Sequence, residues 1–275
     1  MENIIVPKKL KDKLIKQHYK IIGNHSAVKL CHWLRMSMRD RGVCYKQKFY
    51  GIQSHRCLQM TPWAFGCTNQ CVYCWRIMES VSEKTPTKKV DEPEDILNGC
   101  INAQRTLLTG FKGWEGTNKT KLKEAQNPNQ VAISLIGEPM MYPKISDFID
   151  ICKKKKMTTF LVTNGQLPER LKNLEEPTNL YISLDAPDKE TYKKIDKPSL
   201  SEFWKRLNES LELMNSFSCK KVLRLTLVKG WNMKNIEGYA KLIEIANPDF
   251  VEVKGFMHVG EAQKRLPRSA MPLHE

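Results

Sequence analysis

No stretch of this sequence reaches the ~18 consecutive apolar residues of a membrane-spanning helix. The opening MENIIVPKKLKDKL is too charged to serve as the apolar core of a secretory signal. Together these absences lead to the expectation of a soluble, cytoplasmic protein with no membrane partner. Internal repeats are missing too, and the one low-complexity tract is the lysine run 153–156, placed where it would complement the C-terminal end of a helix. Acidic residues are in short supply, 30 against 45 Lys and Arg, and the resulting charge of +15 calls for a polyanionic partner, of which nucleic acid is the commonest. Histidine is scarce around the main cysteine cluster: His55, the nearest, lies twelve residues before Cys67.

Cysteine, in contrast, is plentiful. Nine cysteines in a chain with no secretory signal argue for metal ligation or catalysis, because a reducing compartment does not sustain a disulfide framework. Three of them, in CTNQCVYCWR, stand at positions 67, 71 and 74 with spacing C-x3-C-x2-C. A structural zinc site needs four protein ligands, and a catalytic one needs three and a water. A four-iron cluster held by three thiolates instead leaves one iron open to an outside ligand. Upstream, Cys31, Cys44 and Cys57 repeat as C-x12-C-x12-C, which suggests a second cluster with a vacant position.

From Leu58 onward, short apolar runs alternate with amphipathic stretches, the pattern of βα units in a parallel sheet. Six runs predict strands: 58–66, 131–137, 158–164, 180–186, 222–230 and 250–256. Helices are predicted over 95–109, 145–156, 200–217 and 235–246, and, before the first strand, over Lys8–Ile21 and Ser26–Met38. Six βα units without a seventh or eighth describe an α/β partial barrel, (β/α)6. Residues 1–57 read as an N-terminal extension carrying the second cysteine set. Residues 58–275 read as the core, with a polar insertion at about 77–130. Strand C-terminal ends are where such sheets place their sites.

The cysteine motif directly after a first strand, with Tyr73 before its last cysteine, resembles the radical S-adenosylmethionine (SAM) superfamily. That resemblance implies that Cys67, Cys71 and Cys74 hold a [4Fe–4S] cluster whose open iron takes the amino and carboxylate groups of SAM. SLIGEP (134–139) resembles the superfamily's GGEP motif, with Ile136 where its first glycine would stand and Glu138 as the acid facing the SAM ammonium. Thr163, Asn164, Ser183, Asp185 and Asn232 lie at strand ends from which polar groups can reach the rest of SAM.

The upstream trio, followed by SLIGEP, SLDAP and VEVKG, is similar to the wyosine-forming enzymes that make 4-demethylwyosine on tRNA. Their reaction is a radical lyase reaction that joins pyruvate to the N1-methylguanosine beside the anticodon of tRNA-Phe. The resemblance implies two [4Fe–4S] clusters, SAM and an external one-electron reductant. The flavodoxin-like domain of eukaryotic members is not seen here, which points to an archaeal-type chain. Lys46, two residues after Cys44, is the candidate for a Schiff base with pyruvate or for proton transfer, with Lys48 as its rival. Trp75 beside Arg76, Trp114, and the basic segment HVGEAQKRLPRSAMP are candidates for RNA contact. Two alternatives stay open: another two-cluster radical SAM enzyme, and a metal-stabilised RNA-binding module.

Overall fold

The computed structural model describes residues 8–77 and 89–272. The start of the predicted insertion (78–88) and both chain ends lie outside the described residues. The chain divides into two compact units, 1–64 with 86–161, and 65–85 with 162–275.

The first unit begins with α1 (Lys8–Lys16), whose Leu10 and Leu14 are buried one helical turn apart. It ends earlier than the helix predicted to Ile21, because β1 (Lys20–Ile22) and β2 (Ser26–Val28) follow as an antiparallel hairpin. The second predicted helix is likewise shortened to α2 (His32–Ser37). Pairing decides both corrections: β2 is buried along its whole length and lies antiparallel to β3 (Cys57–Thr61). Between them comes α3 (Tyr45–Tyr50), closed by Gly51 at φ +68°, a left-handed cap that glycine adopts without a Cβ penalty.

Parallel pairing then joins β3 to β4 (Gln130–Ile133) and β4 to β5 (Thr158–Thr163). All four residues of β4 are buried, as expected of a parallel strand covered on both faces. The β3–β4 connection contains α4 (Pro93–Leu108) and α5 (Lys119–Ala125). In α6 (Ile145–Lys154), Ile145, Phe148, Ile149 and Cys152 are buried at i, i+3, i+4 and i+7, so one stripe faces the core. Lys153 and Lys154 fill its last turn.

The second unit carries β6 (Asn179–Ser183), β7 (Lys220–Leu227) and β8 (Phe250–Gly255), paired in parallel in that order. Its helices are α7 (Pro168–Leu171), α8 (Lys189–Ile195), α9 (Phe203–Leu213) and α10 (Ile236–Ala246). Each of the six predicted strand runs overlaps one of β3–β8; β5 and β8 lie inside their runs, whereas β3, β4, β6 and β7 start one or two residues before theirs. Among the described residues no helix is long and apolar enough to cross a membrane.

Candidate metal centres

In the first unit, Cys31 and Cys44 occupy matching local geometries. Each precedes a six-residue helix, with backbone at φ −62°, ψ 145° for Cys31 and φ −63°, ψ 143° for Cys44. Cys57 opens β3. The three thiols come within electrostatic reach: burial pushes Cys57 up to about 12, Cys31 and Cys44 push the same way, and the Lys46 ammonium opposes them.

Side-chain hydrogen bonds frame this centre. The Cys44 N–H donates to Ser54 Oγ at 2.9 Å, and Ser54 Oγ donates to Gln47 Oε1 at 2.8 Å. Lys46 is buried, with Nζ 4.0 Å from the centre of the Phe160 ring, whereas Lys48 is exposed. Helix geometry requires that difference, since side chains two apart on a helix point about 200° from one another. His55 is paired with Glu124 at 2.5 Å.

In the second unit, Cys67, Cys71 and Cys74 share one loop, which is fastened to the end of α8 and the chain that follows it. Val72 N donates to Ile195 O at 2.8 Å, Gln70 N to Asp196 O at 3.0 Å, and Ser199 N to Thr68 O at 2.9 Å. The Tyr73 hydroxyl lies 2.6 Å from Asp185 Oδ2 and 3.0 Å from Asp196 Oδ1. A phenol has one proton to donate, so the second contact is satisfied when Asp196 is protonated. Burial lifts Asp185 to about 6 and Asp196 well above the carboxylate range, the latter also through its negative neighbour Asp185. Burial raises the Cys71 thiol too, followed by the fields of Asp196, Cys74 and Cys67.

Asn164 Nδ2 lies 3.8 Å from Cys67 Sγ and 2.8 Å from Thr68 Oγ1. Thr163 Oγ1 accepts from Gly165 N at 3.2 Å, and Ser183 is half-buried at the end of β6. Asn232 is fully buried, and its amide donates to Asp185 O and Thr226 O at 2.7 and 2.8 Å, so it braces the backbone beyond β7. Glu138 follows β4 in the first unit, buried, and accepts from Met140 N at 3.0 Å. Gly137 before it takes φ +71°.

Two contributors to the second centre carry no local signal in the sequence. Asp196 is one. Arg265 is the other: its Nε donates to Val72 O at 3.2 Å, and its guanidinium also donates to Cys74 O. Part of the basic segment expected to follow RNA thus holds the cysteine loop. Next to it, a Cβ on Gly260, at φ +58°, would stand 2.4 Å from Trp75 O, so only glycine fits. Arg76 is buried with its guanidinium 3.2 Å over the Trp75 ring.

Among the described residues no three Cys, His, Asp or Glu side chains converge on a single metal ion. A multi-iron cluster spreads its thiolates over separate irons and asks for wider spacing. Both trios consist of thiols close enough to feel one another's charge, and this donor set suits iron–sulfur clusters.

Residues 116–243 match the family model described as the Radical SAM superfamily, and residues 245–275 match that described as Wyosine base formation. An S-adenosyl-L-methionine-dependent tRNA 4-demethylwyosine synthase of Pyrococcus horikoshii is 48% identical over 98% of this chain and 80% of its own length. A solved structure of TYW1 with a lysine–pyruvate adduct bound superimposes with a TM-score of 0.88 at 37% identity, covering 98% of this chain and 86% of that one. A crystal structure of archaeal TYW1 gives 0.77 at 36% identity, covering 92% and 83%.

Proposed function

The chain belongs to the S-adenosyl-L-methionine-dependent tRNA 4-demethylwyosine synthases, a family with the radical SAM fold, and from that membership we propose that it joins pyruvate to N1-methylguanosine in tRNA-Phe as a carbon–carbon lyase. Radical SAM membership brings SAM and a [4Fe–4S] cluster, and tRNA is the substrate of this family. The substrate nucleoside, pyruvate, an external reductant and a second [4Fe–4S] cluster complete the reading. When bound, a reduced cluster and SAM supply a carbon radical that removes hydrogen from an unactivated methyl group.

The residues divide this work. Cys67, Cys71 and Cys74 would hold the SAM-binding cluster, with Tyr73, Asp185 and Asn164 shaping its loop; Glu138 is the acid that the SLIGEP motif assigns to the SAM ammonium. Thr163 and Ser183 close β5 and β6 and Asn232 follows β7, and this reading assigns all three to the SAM site. Cys31, Cys44 and Cys57 hold the second cluster, where an α-keto acid can be bound and polarised. Lys46 condenses with the pyruvate ketone, losing water to form an imine that fixes its carbons for ring closure. The observation that carries this assignment is the burial of Lys46 within electrostatic reach of Cys57 while Lys48 faces solvent. The solved relative with a lysine–pyruvate adduct supports it.

The test is anaerobic incubation with SAM, dithionite, pyruvate and methylated tRNA, followed by nucleoside mass analysis. Tricyclic base should form with the native chain and with Lys48→Ala. Lys46→Ala should form none, and borohydride should no longer trap pyruvate on the protein. Full product from Lys46→Ala with both clusters loaded would remove this lysine from the mechanism.

A further inference from the structure

We propose that the face formed by α2 and the α4–α5 connection in the first unit is a stacking platform for single-stranded RNA, with Arg39 and Trp114 at its centre. This rests on the reading of tRNA as substrate and assigns that substrate a surface. The Arg39 guanidinium lies 3.4 Å over the Trp114 ring and 5.7 Å from the centre of Phe111. Trp114 remains 45% exposed and Trp33, on α2, 40%, so each ring offers a face to solvent. Phe111 packs against the buried cluster of Leu34, Met38, Leu108 and Leu122, which anchors the loop beneath the stack. Asn118 N donates to Met38 O at 2.8 Å and joins the two segments at their base.

The electrostatics select an anionic partner. Arg35 and Arg41 are exposed and close enough for their charges to act on Arg39, and neither forms an ion pair among the described residues. The acid between them in the chain, Asp40, is held by Lys121 at 2.5 Å and by Asn118 at 3.0 Å. Glu115, the next acid along the loop, makes no ion pair with any of the three arginines. Arg39 Nε, shielded from solvent, has no acceptor, so π contact rather than a hydrogen bond holds this guanidinium. Among the described residues these three like charges, one of them stacked on the exposed Trp114, have no carboxylate partner. An RNA strand supplies what is missing, phosphates for the arginines and base faces for the rings.

The experiment measures binding of N1-methylated tRNA-Phe by the cluster-loaded full chain across a salt series. Trp114→Ala and Arg39→Ala should each weaken binding about tenfold, as expected when one stacking partner is lost. Trp114→Ala should leave the salt slope unchanged, whereas Arg35→Gln with Arg41→Gln should lower it by about 1.5 to 2. Trp114→Phe, which keeps a ring, should bind nearly as well as the native chain. Iron content and release of 5′-deoxyadenosine without tRNA should be native in every variant, which shows each to be folded and loaded. Native affinity and slope in all variants would overturn the platform and leave the tRNA reading intact, whereas failure of the unaltered chain to bind tRNA would overturn both. Competition by poly-glutamate as strong as that by RNA of equal charge would also overturn it, since a carboxylate chain has no base to stack.

Discussion

Cys67, Cys71 and Cys74 lie within one loop of eight residues, whereas Cys31, Cys44 and Cys57 are drawn from the starts of two short helices and a strand. The loop trio is close in sequence and needs outside help to hold its shape: hydrogen bonds with the end of α8 and the chain after it, the Tyr73 bridge and the Arg265 donors. The dispersed trio needs the fold to bring its members together, and the same fold buries Lys46 within electrostatic reach of Cys57. On the proposed reading, the short loop motif makes the radical and the centre assembled from separate elements is shaped around the substrate.

The largest expected effect breaks the two centres one at a time. Alanine at Cys67, Cys71 and Cys74 should abolish SAM cleavage, read as 5′-deoxyadenosine. Alanine at Cys31, Cys44 and Cys57 should leave SAM cleavage running without tricyclic product, with iron falling from about eight to about four per chain. Loss of SAM cleavage in the second variant, with four irons still bound, would contradict this division of labour.

A smaller effect is expected from Arg265→Ala. Removing charged donors from two loop carbonyls costs about 2 to 3 kcal/mol at that loop. Iron should then be lost to a chelator faster from the loop trio, while borohydride trapping of pyruvate at Lys46 stays native. Equal loss from both centres would show that Arg265 acts on the whole fold instead.

Tyr73→Phe is expected to cost about 2 kcal/mol, because it leaves two buried carboxyl groups without their shared hydroxyl. A lowered Tm in chemical or thermal unfolding would report it. An unchanged Tm would mean that the Asp185–Asp196 pair is satisfied without the phenol.

The smallest effect belongs to the first unit. His25 is fully buried, its Nδ1 2.6 Å from Pro62 O and its Nε2 accepting from Asp91 N at 2.9 Å. Burial holds its pKa below the ordinary 6.5. The unfolded chain therefore takes up this proton first, so the contribution of His25 is complete above pH 6.5 and is lost as the pH falls below it. Replacing His25 with Gln should flatten the decline in stability as the pH falls below 6.5; an unchanged slope would show that another group sets it.

The strands were largely legible before the fold was known, since β3–β8 each overlap an apolar run ended by turn residues, with starts displaced by at most two residues. The β1–β2 hairpin was not. Its residues continue the apolar spacing of α1 and α2, and only the antiparallel pairing of Ala27 and Val28 with β3 turns them into a strand. At the cysteine centres the ligand candidates could be read from spacing, but Arg265 and Asp196 could not. They are joined to the loop across 191 and 123 residues of chain, respectively. The choice between Lys46 and Lys48 was equally open until α3 was seen to turn one inward.

By itself the sequence determined the chemistry available to this protein: two sets of three thiols, a surplus of positive charge, and the alternation that builds parallel strands. These follow from residue type and local spacing, which survive without knowledge of distant contacts. Only the tertiary structure decided which lysine is buried beside a trio, which arginine clamps the cysteine loop, and which arginines face solvent with no carboxylate among the described residues. Burial and pairing are properties of space, and residues far apart in the chain acquire them only when it folds.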